Sequence, residues 1–155
     1  MKVLFTGLGS IGQRHLRNLR ELLGDSVEVL AYRVRREVPM LNDRLQVIEG
    51  GSVKDKYGVV EFDDLDKALA EKPDIVFITN PTSMHMEVAR KSAEAGCHLF
   101  IEKPLGASSE GVEELIELVE QKGLVVFVAY QLRFHPGLMQ VSVWLKEERI
   151  GQLIS

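Results

Sequence analysis

The chain has 155 residues, is 45% hydrophobic and 27% charged, and carries a net charge of −4 at pH 7. That size suits one soluble domain with a proper core. The mildly acidic balance, with a pI of about 5.6, argues against a nucleic-acid or anionic-membrane surface. There is no apolar run near the roughly 18 residues a bilayer demands. One cysteine, Cys97, excludes an internal disulfide and fits a reducing cytoplasm; beside an apolar run it reads as a small buried hydrophobe, and no metal-ligand set is expected.

In chain order, Val3-Leu4-Phe5 is an apolar run without polar alternation, which predicts a strand buried on both faces. Gly7, Gly9 and Gly12 follow in G-x-G-x-x-G spacing, and a helical pattern starts inside it. In a dinucleotide fold Gly7 allows the tight turn, Gly9 lets a pyrophosphate approach the backbone, and Gly12 lets the helix lie close on the sheet. The anion would sit on free N–H groups at the positive end of the helix. Gly12, Leu16, Leu19 and Leu23 share one face, expected to pack, and Gly24 is placed to end the helix.

Val27 to Tyr32 reads as the second strand. An acid near its end would favour NAD by holding the ribose 2′-hydroxyl. Here stand Arg33, Arg35 and Arg36, with no carboxylate until Glu37. Arg33 could bond a 2′-phosphate and stack on adenine, so the sequence leans towards NADP over NAD. Residues 39–58 show no sustained period and read as a loop with a fragment of regular structure.

Val59 to Phe62 is a third strand, Asp63 or Asp64 caps a helix through Ala70, and Ile75 to Ile78 is the fourth strand. It leads into Thr79-Asn80-Pro81-Thr82-Ser83-Met84-His85, a loop expected to border a ligand because α/β sheets bind at strand carboxyl ends. Its residues are also ordinary turn and cap formers. The next helix shows His85, Val88, Ala89 and Ser92 on one face and Gly96 at its end.

His98 to Ile101 is the fifth strand, with Glu102-Lys103-Pro104 at its carboxyl end. Ser108 or Ser109 should cap a helix with Val112, Leu115, Ile116 and Val119 as its stripe, closed by Gly123. Val125 to Ala129 is the sixth strand, running into Tyr130-Gln131-Leu132-Arg133-Phe134. Pro136 opens a last helix with a Leu138, Val141, Leu145 stripe, terminated by Gly151. Strands alternating with helices predict a Rossmann-type, doubly wound parallel sheet in a three-layer α/β/α domain.

The glycine turn, the Asn80-Pro81-Thr82-Ser83-Met84-His85 loop, Glu102-Lys103-Pro104-Leu105 and Tyr130-Gln131-Leu132-Arg133-Phe134, in this order, resemble the N-terminal domain of the Gfo/Idh/MocA oxidoreductases, the glucose-fructose oxidoreductase and inositol dehydrogenase family. The resemblance covers essentially the whole chain. It implies NAD(P)-dependent hydride transfer at a secondary alcohol of a sugar, inositol or nucleotide sugar. By the same resemblance Gly7, Leu8, Gly9, Ser10, Ile11 and Gly12 hold the pyrophosphate. Thr79, Asn80, Pro81 and His85 line the cofactor, Glu102 lies near the nicotinamide ribose, and Gln131 and Arg133 lie near the nicotinamide. Lys103 is the catalytic lysine; an ammonium can stabilise a developing alkoxide and relay its proton.

The family continues into a second domain that binds substrate and forms the homo-oligomer interface. Residues 1–151 are therefore expected to form the cofactor domain, with 152–155 opening an absent one, and the chain alone to bind cofactor without turnover. A nucleotide-binding sensor or scaffold without redox chemistry is the alternative reading; a methyltransferase fits less well, since it wants an acid where Arg33 stands.

Overall fold

The computed structural model describes residues 1–33 and 38–152. Six strands form one fully parallel sheet: β1 (Lys2–Phe5), β2 (Glu28–Tyr32), β3 (Val60–Phe62), β4 (Ile75–Ile78), β5 (His98–Ile101) and β6 (Val126–Val128), in the spatial order β3-β2-β1-β4-β5-β6. The helices are α1 (Ser10–Leu23), α2 (Val53–Tyr57), α3 (Leu65–Ala70), α4 (His85–Glu94), α5 (Val112–Gln121) and α6 (Pro136–Lys146). This is the doubly wound Rossmann arrangement expected from the alternating pattern.

Alternate residues of the central strands serve two cores. Leu4, Val76, Ile78, Leu99 and Ile101 pack with Ala68 and Leu69 of α3, Val88 and Ala89 of α4, and Leu115 of α5. Val3, Phe5, Val29 and Ala31 pack with Leu16 and Leu19 of α1 and with Met40, Val53 and Val59. Burial on both faces is what an unalternating apolar run requires. Register adds a feature of its own. Phe5, Phe77, Phe100 and Phe127 occupy matching positions on β1, β4, β5 and β6, and their rings follow one another at 4.8, 4.6 and 5.5 Å between centroids. Parallel pairing turns one phenylalanine per strand into an aromatic row across the sheet.

Several local expectations change. Leu23 is 44% exposed, and Gln13 is buried on α1 beside Gly12, Leu16 and Leu19. Fourteen helical residues span about 21 Å against about 13 Å for a four-residue strand, so the last turn overruns the sheet. Gly24 does close α1, its N–H bonding the Arg20 carbonyl. Asp64 caps α3 by accepting the Lys67 N–H at 2.9 Å. Helix α5 starts later than the two serines suggest. Gly111, at φ +76, is its N-cap, while Ser108 Oγ accepts from Glu110 N in the preceding turn. Leu115 and Val119 of the expected stripe pack, but Ile116 is 48% exposed and Leu118 packs in its place.

Within residues 39–58, Leu41 and Val47 form an antiparallel bridge, and Ser52 caps the short α2. Helix α6 begins at Pro136 but ends at Lys146, before Gly151. Its expected stripe is not covered, since Leu138 and Val141 are 46% and 37% exposed. The basic residues Arg35 and Arg36, Glu37 and the terminal extended segment from Leu153 lie outside the described residues.

Candidate functional site

The strand order reverses between β1 and β4: β1 leads outward to β2 and β3, β4 to β5 and β6. Loops leaving two such neighbours diverge to opposite faces and leave a crevice at the carboxyl edge. The loop after β1 is the glycine turn, and the loop after β4 is Thr79-Asn80-Pro81. A cleft of about 660 Å³ lies there. Gly7, Leu8, Gly9, Ser10 and Ile11 form one wall, and Thr79, Asn80, Pro81 and Met84 the other. Thr6 lies at the base, and Tyr32, Arg33, Val38 and Pro39 close the end nearest β2.

The two loops touch. Thr79 Oγ1 donates to the Gly7 carbonyl at 2.6 Å. A Cβ on Gly7, whose φ is +155, would lie 3.1 Å from the Thr79 carbonyl oxygen and 3.2 Å from Asn80 N. Gly12 sits behind the wall, where a Cβ would come 2.1 Å from the Gly7 carbonyl oxygen. Its closest constraint is thus the turn itself, rather than the sheet the spacing alone suggests. Gly9 is different: a Cβ there would have nothing within 4 Å.

The cleft suits an anionic, polar ligand. Gly9 caps α1 with no side-chain hydrogen bond, and the first turn carries no acid, so its N–H groups and positive end face the opening uncompensated. Asn80 is the second sign. Among the described residues neither Nδ2 nor Oδ1 of its buried amide has a hydrogen-bond partner. Buried amides are normally satisfied, and this unsatisfied one belongs to a residue that lines the cleft. A pyrophosphate on the helix end and a ribose or amide against Asn80 fit these residues.

The family model described as an oxidoreductase family with an NAD-binding Rossmann fold, GFO_IDH_MocA, matches residues 1–130. The chain belongs to this family. It is similar to the 4-carboxy-2-hydroxymuconate-6-semialdehyde dehydrogenase of Sphingobium sp., at 31% identity over 88% of this chain and 40% of that protein. It is likewise similar to the scyllo-inositol 2-dehydrogenase (NAD(+)) of Bacillus subtilis, at 31% identity over 96% and 41%. A solved scyllo-inositol dehydrogenase from Lactobacillus casei, with bound cofactor NAD(H) and scyllo-inositol, superposes with a TM-score of 0.78 at 25% identity, covering 97% of this chain and 42% of that one. The chain thus spans about two fifths of the length of these relatives.

Within this Gfo/Idh/MocA domain the remaining sequence candidates lie outside the cleft wall. His85 is buried at 1% exposure. Its Nδ1 lies 2.9 Å from the Pro104 carbonyl and its Nε2 2.9 Å from the Asn80 carbonyl. A neutral ring can donate to one of these and an imidazolium to both; either way His85 fastens the Asn80 loop to the Glu-Lys-Pro turn from behind. Glu102 follows β5, its N–H bonded to the Ile78 carbonyl, and Lys103 beyond it is exposed, with a cis peptide to Pro104. Gln131 and Arg133 are exposed in a 3-10 turn after β6, Arg133 lining a second hollow with α6.

Three residues of the site escape sequence reasoning. Gln13 donates to the Leu8 and Pro39 carbonyls and accepts from Leu41 N, tying the glycine turn to the loop after β2. His15 Nε2 lies 2.7 Å from Glu102 Oε1 while its ring meets Phe100 edge-on. Glu61 of β3 is ion-paired with Arg33. Each looks like an ordinary polar residue of its own helix or strand, and only its neighbour across the fold gives it a role. Among the described residues no helix is long and apolar enough to cross a membrane, and no group of three or more His, Cys, Asp or Glu could hold a metal.

Proposed function

We propose that residues 1–151 are the nicotinamide-cofactor domain of an oxidoreductase acting on a secondary alcohol of a sugar, inositol or nucleotide-sugar-like molecule. The observation that carries this is the pairing, in one cleft at the strand-order switch, of an uncapped helix N-terminus with the unpartnered Asn80 amide. When bound, the nicotinamide supplies the hydride acceptor or donor. Backbone N–H groups at Gly9, Ser10 and Ile11 hold the pyrophosphate, and Thr79, Asn80 and Pro81 orient the half nearest β4. Lys103 donates a hydrogen bond to the reacting oxygen and moves its proton, with Glu102 held in place beside it by His15. Gln131 and Arg133 flank the same end.

The sequence lean towards NADP rests on Arg33; the relatives whose names mention NAD(+) or NAD(H) point the other way. The chain spans about two fifths of these relatives' length; a substrate-binding second domain opening at 152–155 is part of the same proposal. On this reading the chain alone binds cofactor without turnover, and the complete protein is a cytoplasmic homo-oligomer.

Calorimetric titration of the chain with NADH and NADPH, at low and moderate salt, tests the reading. Saturable one-site binding that Gly9→Ala removes without unfolding the protein is expected. A folded chain that binds neither nucleotide would sink it.

A further inference from the structure

At the carboxyl end of β2 this chain carries Arg33 where a dinucleotide fold often carries an acid, yet a carboxylate is present all the same. It comes from the neighbouring strand. Glu61 lies on β3, paired in register with Ala31, and Tyr32 pairs with Phe62. Arg33 continues the ladder, its N–H bonding the Phe62 carbonyl at 3.0 Å. This places the two side chains at the same sheet edge, where Arg33 Nη1 donates to Glu61 Oε1. The Arg33 side chain is only 9% exposed and that of Glu61 29%, so solvent and salt screen the pair less than they screen a surface contact.

Arg33 also lines the cleft at the end where the adenosine of a dinucleotide would lie. A 2′-phosphate arriving there meets a guanidinium already engaged by a carboxylate. It must share or displace that partner while its own charge is repelled by Glu61. A ribose 2′-hydroxyl meets neither obstacle. We propose that Glu61, acting through Arg33, determines cofactor specificity and sets the cleft against a 2′-phosphate, favouring NAD(H) over NADP(H). The proposal rests on the dinucleotide reading above and deepens it. Arg33 is the side chain that would bind a 2′-phosphate, and Glu61 keeps it from doing so.

The test is the ratio of NADPH to NADH affinity, measured by calorimetry on the wild-type chain, Glu61→Gln, and Glu61→Gln combined with Arg33→Ala. Thermal melts establish that each is folded, and Glu61→Ala stands in if the glutamine variant is not. The wild type should prefer NADH. Glu61→Gln should raise NADPH affinity about tenfold or more relative to NADH, and Arg33→Ala in that background should cancel the gain. A purely structural pair would move both nucleotides together and leave the ratio fixed. A wild-type preference for NADPH, or an unchanged ratio with NADH binding intact, overturns the assignment of Glu61 and leaves the cofactor site standing. If folded wild-type protein binds neither nucleotide, both readings fall.

Discussion

His15 Nε2 and Glu102 Oε1 lie 2.7 Å apart, joining the helix that leaves the glycine turn to the strand end that carries Glu-Lys-Pro. Their side chains are 17% and 14% exposed. Truncating His15 to Ala leaves a largely buried carboxyl without this partner, which should cost about 1–3 kcal/mol. His15→Gln, which can still donate, should cost less. Urea unfolding of both variants decides the matter; equal midpoints for His15→Ala and wild type would show that the contact contributes nothing.

The glycines at positions 9 and 12 should separate binding from folding. A methyl at Gly12 meets the Gly7 carbonyl oxygen at 2.1 Å, whereas one at Gly9 meets nothing within 4 Å. Gly12→Ala is therefore expected to lose about 3 kcal/mol or more, or to fail to fold. Gly9→Ala should stay within about 0.5 kcal/mol of wild type while losing dinucleotide affinity, because on the proposed reading a Cβ there intrudes on the pyrophosphate's approach to the backbone. Circular-dichroism melts and calorimetry read the two effects independently.

Asn80→Ala removes an amide that has no hydrogen-bond partner among the described residues. Since no intramolecular bond is lost, the melting temperature should hold or rise slightly. Affinity for NADH should fall about tenfold, the worth of one or two hydrogen bonds to a bound ligand. A variant that melts well below wild type and binds NADH normally would show Asn80 to be structural.

Burial pushes the Cys97 thiol up from its ordinary 9.0 to about 11, with the Asp74 carboxylate adding to the effect. Between these values the folded state holds a proton that the unfolded chain has released. Stability from this source is complete below pH 9 and is lost as the pH rises through 11, by about 3 kcal/mol in all. Cys97→Ala should flatten that part of the pH–stability curve. Thiol labelling of the wild type at about pH 8, below the ordinary thiol range, should be slow and should accelerate only as urea unfolds the chain; rapid labelling of folded protein would contradict the burial.

Much of this domain is legible in the residue order. Unalternating runs such as Val3-Leu4-Phe5 and Ile75-Val76-Phe77-Ile78 mark central parallel strands because burial on both faces leaves no place for polar residues. His85, Val88, Ala89 and Ser92 fall on the buried face of α4 because the 3.6-residue period leaves little choice. The glycine spacing marks the turn and the helix after it. Helix ends are less legible: α5 starts at a left-handed glycine although two serines stand before it, since backbone geometry at Gly111 outweighs a generic capping preference.

Residue order alone establishes the strands, every helix but α2, their alternation, and the strand ends at which a ligand is expected. Which polar side chains meet there depends on how the strands assemble. His15 and Glu102 are 87 residues apart, and Arg33 and Glu61 are 28 apart. His85 bridges two carbonyls on different loops, and the phenylalanine row exists only once four strands are in register. Local propensity acts through the chain, over a few residues of backbone. Partnership of charges, amides and rings acts through space, and strand order and register alone set those distances.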